Sequence, residues 1–288
     1  MSEPVERSEA TSDATALDSL LRHRYGESRT QEKQAADLPV SDFIESLLGH
    51  RSVRAYSDRA LPDDILHTII AAAQSASSSS NLQAWSVVAV QDSARKERLA
   101  AYAGNQKHVS SAPLLLVFIA DLYRLRSVSV AAGTKGDALD YLESFLVAVI
   151  DAALAAQNAV VALESLGLGS CYIGAMRNKP EDVARELALP AEAFAVFGLT
   201  IGYPAAEVKT DIKPRLPQDV IVHLEQYQQA SPESLARYDT SIHAFQRLQH
   251  MPEQDWTELA SRRLRGPESL SGRDRLVSAL QALGFGLK

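Results

Sequence analysis

SASSSSNLQAWSVVAV, residues 75–90, is the stretch on which the reading of this chain turns. Five serines, Asn81 and Gln83 run straight into Trp85 and a series of valines, so the spacing predicts a strand over WSVVAVQD (85–92). Just upstream, LPDDILHTIIAAAQSA (61–76) carries Pro62 and two acids in its first turn. Ile65, Ile69, Ile70 and Ala73 repeat on one face, which predicts a helix. A serine-rich stretch can be a flexible linker or a polar loop held between rigid elements. Linkers separate independent domains, whereas this one joins a helix directly to a strand, and binding residues concentrate on loops so positioned. Small hydroxyl residues let backbone amides approach a ligand, while Asn81 and Gln83 each donate and accept hydrogen bonds.

Working outward, PLLLVFIAD (113–121), SCYIGAMR (170–177) and AVFGLTIGYP (195–204) read as three further strands. Helices are expected over 43–50, 93–103, 137–166 and 180–188, with Gly167 closing the longest. Beyond Pro204 only helical patterns recur, near 233–247, 253–265 and 270–283. At the other end, Leu17, Leu20, Leu21 and Tyr25 predict a short docking helix over 17–25, followed by a linker, GESRTQEKQAAD; residues 1–12 lack apolar periodicity and are expected to be disordered. The domain organisation expected is an extension over 1–38 and a main domain over 39–288. The fold class is α+β, a small sheet flanked by helices, with long helices left over for a partner subunit.

The balance of 29 Lys+Arg against 36 Asp+Glu gives a net charge of −7 over 288 residues. That argues against broad attachment to nucleic acid or an anionic membrane, so an anionic ligand must meet a local basic cluster. Cys171 is the only cysteine, which excludes an internal disulfide framework and a cysteine metal site and makes a cytoplasmic location the expectation. The acidic N-terminus has no apolar core of a secretory signal. FLVAVIDAALAAQNAVVAL (145–163) is interrupted by Asp151, Gln157 and Asn158, so it reads as a buried helix rather than a lipid span, its polar residues facing a patch at its ends or a subunit contact. GLGSCYIG (167–174) ends a helix and opens a strand, the reverse of a dinucleotide-binding turn. The seven histidines are scattered, and no metal site is expected.

Two basic clusters stand out. His50-Arg51-Ser52-Val53-Arg54 places an imidazole, a hydroxyl and two guanidinium groups on a turn after a helix. Forked arginine donors suit phosphate or a polarised carbonyl, and alternation along an extended backbone lets Arg51 and Arg54 reach different parts of one ligand; a solvated surface turn would have the same composition. In DIKPRLP (211–217), Pro214 and Pro217 stiffen a loop bearing Lys213 and Arg215. These two either grip one phosphate or are neutralised by Asp211 and Asp219 in surface pairs of little energetic weight. GNQKHV (104–109) adds Gln106, Lys107 and His108 after a helix.

Taken in order, HRSVRAYSDRAL, SASSSSNLQAWSVVAV, GNQKHV, ESLGLGSCYIGAMRN, FGLTIGYP and DIKPRLPQDVIVHLEQY resemble the nitroreductase family, nearest its NADPH-dependent oxygen-insensitive nitroreductases and NADPH:flavin oxidoreductases. The resemblance implies a nitroreductase-like α+β fold with a small mixed sheet, and an intertwined homodimer with FMN at two shared sites. It implies that His50, Arg51, Lys213 and Arg215 hold the FMN phosphate. Ser52 and Arg54 would reach the ribityl chain and the pyrimidine edge, where Arg54 stabilises reduced flavin. Ser78, Ser79, Ser80 and Gln83 would come from the other subunit, and Gln106 would bond the ring edge. The backbone of Tyr172, Ile173, Gly174 and Ala175 would pass beneath N5, with Gly174 permitting close approach. NADPH or NADH would deliver hydride, and nitroaromatics, quinones, azo compounds or free flavin would take it in a ping-pong cycle with no side-chain acid or base. The alternatives within this resemblance are a reductase supplying free reduced flavin and a non-catalytic flavin-binding module. The chain departs from the family pattern at Ala175, where relatives often carry glycine, and at Asn81, where they carry an apolar aromatic. After Tyr238 it offers mainly Arg247 and His250 where relatives place arginines for the 2′-phosphate of NADPH.

Overall fold

The run Leu114–Asp121 is buried at every position, which is why it is almost continuously apolar instead of alternating. In the computed structural model, which describes residues 17–26 and 41–288, this run lies inside a four-stranded sheet. The strands are β1 (Trp85–Val90), β2 (Leu114–Asp121), β3 (Gly169–Ile173) and β4 (Ala193–Gly202), in the order β1-β2-β4-β3. Successive side chains of a strand point to opposite faces. Leu114, Leu116, Phe118 and Ala120 accordingly enter one core, and Leu115, Val117 and Ile119 enter a second core on the other face.

Among the described residues the helices are α1 (17–25), α2 (Asp42–Leu48), α3 (Ile65–Gln74), α4 (Ser93–Tyr102), α5 (Lys107–Ser111), α6 (Tyr123–Ala131), α7 (Leu142–Ser165), α8 (Pro180–Glu186), α9 (Gln218–Ile221), α10 (Pro232–Leu248), α11 (Trp256–Arg263) and α12 (Leu276–Ala282). The chain divides into two compact units. One takes Met1–Arg51 and Lys209–Arg265, with α1, α2 and α9 to α11. The other takes Ser52–Val208 and Gly266–Lys288, with the sheet and both cores.

In the sheet-bearing unit, α3 and α7 supply Ile69, Ala73, Ala148, Ala152, Ala155, Ala156, Ala159 and Val160 to the first core. The row of alanines lets the α7 backbone lie close to the sheet. By length and composition α7 could cross a membrane, but this face makes it the core helix of the unit. Its other face leaves Leu142, Leu146, Ile150 and Leu154 between 43 and 55 % exposed, one on each successive turn.

Several expectations need correction. The sheet is antiparallel in every strand pair, not mixed; parallel pairing is confined to the isolated bridge Ser52↔Ser170, because the chain touches β3 there and turns away. β3 stops at Ile173, and the expected extension to 177 is instead a tight 3-10 turn, Gly174–Asn178. The long helix begins at Leu142, since Tyr141 is extended (φ −92°, ψ 149°) and separates it from a 3-10 turn over Asp137–Asp140. Helix α6 has no counterpart in the sequence reading. The disorder expected at 1–12 and the boundary at 38/39 lie outside the described residues, as does the linker beyond Gly26.

Candidate functional site

The serine loop is pinned from below by a carboxylate. Asp151, 1 % exposed in the middle of α7, accepts hydrogen bonds from the Ser78 hydroxyl (2.7 Å), the Ser79 amide (3.2 Å) and the Ala84 amide (3.0 Å). Ser78 Oγ in turn accepts from the Gln83 amide at 2.7 Å. Arg124 of α6 holds the far end, donating to the carbonyls of Gln83 (2.5 Å) and Trp85 (2.8 Å). Within this frame Ser80, Asn81 and Gln83 adopt φ values of 49, 54 and 50°. Left-handed backbone at non-glycine residues costs on the order of 1 kcal/mol or more each and persists where the surroundings over-determine it. Asp151 is therefore not directed at a patch at the ends of its helix, as expected, but into this loop. Asn158 likewise donates to Ala72 O of α3 at 3.2 Å. Ser78 spends its hydroxyl inward, while Ser79, Ser80, Asn81 and Gln83 are exposed.

Arg54 is positioned by its neighbour. Val53, 2 % exposed, donates its amide to Ser170 O at 2.8 Å and seats its side chain over Gly169. A Cβ on Gly169 would stand 2.5 Å from Val53 Cγ2, so only glycine admits this approach. With Val53 turned inward, strand alternation turns Ser52 and Arg54 outward, and both are exposed. Tyr56 locks the segment from below, donating to Val53 O (2.8 Å) and sharing a 2.7 Å hydrogen bond with Thr200 Oγ1. Arg54 acts on two further elements. Burial, and then the charge of Arg54, hold the His108 imidazole below its ordinary pKa. Burial pushes the Cys171 thiol up, while Arg54 opposes this through its charge and a hydrogen bond. His108 of GNQKHV and Cys171 of SCYIG are thus both within electrostatic reach of Arg54. Nε2 of His108 is buried with no hydrogen-bonding partner among the described residues.

Gln106, half-buried at the start of α5, donates to Ala103 O at 2.8 Å, which leaves its amide oxygen as an acceptor. Tyr172 is 37 % exposed with its ring edge-on to Phe197 at 5.1 Å, and Ile173 is buried. Gly174 and Ala175 are half-buried in the turn after β3. The close neighbour of Gly174 is Arg177, whose guanidinium would lie 3.3 Å from an added Cβ and donates to Val196 O at 2.5 Å.

In the other unit, two basic segments far apart in sequence converge on Arg24 of α1. Its guanidinium donates to the carbonyls of Leu48 (2.6 Å), His50 (3.1 Å) and Lys213 (3.0 Å). Arg51 reaches the same region, with Nε donating to Thr210 Oγ1 at 3.0 Å. Arg215 is exposed and donates to the carbonyls of Lys213 and Pro214. Asp219, one of the two acids considered as neutralising partners, is held by Ser234 (2.6 Å) and Arg237 (2.8 Å), and hydrogen bonds from these two keep its carboxyl below the usual range.

The Nitroreductase family profile matches residues 47–203, and the profile of the family's C-terminal domain matches residues 213–288. The chain belongs to the nitroreductase family. Its similarity to the oxygen-insensitive NADPH nitroreductase of Salmonella typhimurium is 43 % identity over 203 residues, 70 % of this chain and 82 % of that protein. The FMN reductase (NADPH) of Bacillus subtilis is 37 % identical over 225 residues, covering 76 % of this chain and 90 % of that one. Among solved structures, the NADPH:FMN oxidoreductase of Vibrio harveyi in complex with NAD+ superposes with a TM-score of 0.77 at 34 % identity, over 86 % of this chain and all of that one. As a nitroreductase-family member the chain has the implied small sheet flanked by helices, with the sheet antiparallel where a mixed one was expected.

Three residues of this site were not singled out from sequence. Arg24 and Arg124 gave no signal, since each acts on backbone carbonyls that sequence does not reveal. Asp151 did: a charge inside an apolar helix needs partners, and the serine loop is a stretch rich in donors.

Proposed function

We propose that this nitroreductase-family chain is an FMN-dependent NADPH oxidoreductase that delivers two electrons to nitroaromatics, quinones or free flavin. The observation that carries the reading is that the exposed Arg54 guanidinium acts on both His108 and Cys171, while His108 Nε2 is buried with no hydrogen-bonding partner among the described residues. A buried nitrogen with no partner among the described residues, in the field of an exposed guanidinium, fits a ligand edge of mixed donors and acceptors. The similarity to NADPH nitroreductases and FMN reductases supports the same assignment.

Bound FMN would supply the hydride and electron transfer itself. The chain's own residues bind, orient and balance charge. In the first unit His50, Arg51, Lys213 and Arg215 offer phosphate a set of nitrogen donors, three of them permanently cationic at neutral pH. In the second, Ser52 and Arg54 face outward from one extended segment to meet the ribityl chain and the pyrimidine edge. There the permanent charge of Arg54 favours added negative charge. Gln106 presents its amide oxygen to the ring edge, and the backbone of Tyr172, Ile173, Gly174 and Ala175 forms the floor. Ser79, Ser80 and Gln83 present exposed polar groups on a strained, pinned loop, and Ser78 serves as its inner bolt. Neither His108, held below its ordinary pKa, nor Cys171, held above it, is suited to act as an acid or nucleophile at neutral pH.

The exposed stripe Leu142, Leu146, Ile150 and Leu154 on α7 supports a homodimer, with the serine loop serving the partner's flavin. The buried lone thiol of Cys171 is in keeping with a cytoplasmic enzyme. Anaerobic addition of NADPH to the flavin-loaded protein should bleach its flavin absorbance, and a nitroaromatic or quinone should restore it. Arg54→Ala should slow the bleaching or weaken flavin binding by about tenfold or more, the weight of one charge-assisted contact. Full occupancy and unchanged turnover in that variant would remove Arg54 from the site. Comparing free FMN with nitroaromatics as acceptor separates a flavin reductase from a nitroreductase.

A further inference from the structure

We infer that Arg24 is a positioning residue that fixes the geometry of the phosphate-binding basic cluster, and that α1 is a clasp built onto the family fold for this purpose. The inference rests on the reading of His50, Arg51, Lys213 and Arg215 as phosphate ligands. Helix α1 precedes residue 47, where the family match begins. It is nonetheless firmly anchored. Leu17 and Leu21 are buried at 3 and 5 % exposure. Gly26 ends the helix in the left-handed region (φ +79°), with its amide bonded to Arg22 O at 2.8 Å.

The anchored helix aims one side chain inward. Arg24 is 5 % exposed and spreads its guanidinium over three carbonyls, two from the segment entering His50-Arg51 and one from Lys213. The helix backbone closes a fourth link, as Arg24 O accepts from the Arg215 amide at 2.8 Å. Tyr238 of α10 adds a bond to Pro214 O at 3.1 Å. A planar fork with five donors can tie several separated carbonyls in fixed relative positions, whereas an ammonium offers three donors from a single nitrogen. The charges of Arg51, Lys213 and Arg215 repel one another, so holding their segments together before an anion arrives needs such a tie. Arg24 also adds its own charge to the cluster. Preorganising a site in this way raises affinity by removing ordering costs at binding. Arg24 does not have to touch the ligand.

The test compares FMN with riboflavin, which lacks the phosphate, on the flavin-free full chain, by quenching of flavin fluorescence. Wild type, Arg24→Ala and Arg24→Lys are titrated with each flavin, and with inorganic phosphate while thermal unfolding is followed. Wild type should prefer FMN over riboflavin and be stabilised by phosphate. In both variants that preference should shrink by about tenfold or more, as expected for loss of a charge-assisted network. Riboflavin affinity should stay unchanged, and phosphate should stabilise less. An unchanged FMN-to-riboflavin ratio in Arg24→Lys would overturn the inference, as would equal losses of both flavins. Should Arg24→Ala not fold, Arg24→Lys decides, because it keeps the stem and the charge but cannot span three carbonyls. A wild type that binds both flavins equally would instead sink the phosphate reading itself, and this inference with it.

Discussion

Removing the carboxylate of Asp151 should release the serine loop, and the two simplest substitutions should do so to different degrees. In Asp151→Ala three donors lose their acceptor: the Ser78 hydroxyl and the amides of Ser79 and Ala84. Ala84 is fully buried, so its amide stays unsatisfied at about 1–3 kcal/mol. The two serine donors can turn to water and lose about 0.5–1.5 kcal/mol each. Together with the small cavity left at a fully packed position, the expected cost is about 3–5 kcal/mol. That corresponds to a fall in Tm of roughly 6–20 °C at about 2–4 °C per kcal/mol. Asp151→Asn is milder. Its amide oxygen can keep the Oδ2 position, which serves Ser78 and Ala84, and its amide nitrogen then faces only the Ser79 amide. About 1–2 kcal/mol should be lost. Thermal and urea unfolding of flavin-free protein measure both, and flavin titration of the folded variants reads the loop's contribution to binding. An Ala variant within about 0.5 kcal/mol of wild type, inside the range of neutral surface changes, would refute the pinning argument. Equal losses for Asn and Ala would show that charge, and not the placement of acceptor atoms, holds the loop.

Gly169→Ala should destabilise by about 1–3 kcal/mol through overpacking against Val53 and should weaken flavin binding by displacing Arg54. Val53→Ala in the same chain should recover part of both losses, and strict additivity in urea unfolding would contradict the contact. For His108, the unfolded imidazole takes up a proton near pH 6.5 while the folded one does so at lower pH. Between those two values the unfolded chain binds more protons, so stability should fall as pH drops through about 6.5 and be insensitive to this residue above it. Urea midpoints at pH 7.5 and 5.5 should therefore diverge more for wild type than for His108→Asn, and equal pH dependence would count against it. Ile150→Lys places a charge in the exposed stripe of α7 and should yield a monomer by light scattering, with flavin lost if the serine loop serves a partner. A dimer that survives would put the interface elsewhere.

The pattern that made the fold legible is periodicity backed by burial on both sides of the sheet. LLLVFIAD is apolar throughout because two cores meet at β2, and a run of that length bounded by Pro113 reads as a strand without ambiguity. Where a segment's structure depends on tertiary partners, sequence was silent. YRLRSVSVA in α6 has little amphipathic contrast and several β-branched and serine residues, so its propensity is weak. It is helical because its arginines are used: Arg124 grips the Gln83 and Trp85 carbonyls, and Arg126 binds Glu192 and Asp140, each at 2.6 Å. The site divides along the same line. His50, Arg51, Arg54, Lys213 and Arg215 were visible because basic residues cluster on turns. What holds them was hidden, because Val53 over Gly169 is a contact across 116 residues, and Arg24 reaches His50 across 26 residues and Lys213 across 189. Asp151 lies between these cases. Its burial demanded donors, and the loop 75–85 supplied them, so a charge in an apolar helix and a polar loop without a partner were two halves of one observation.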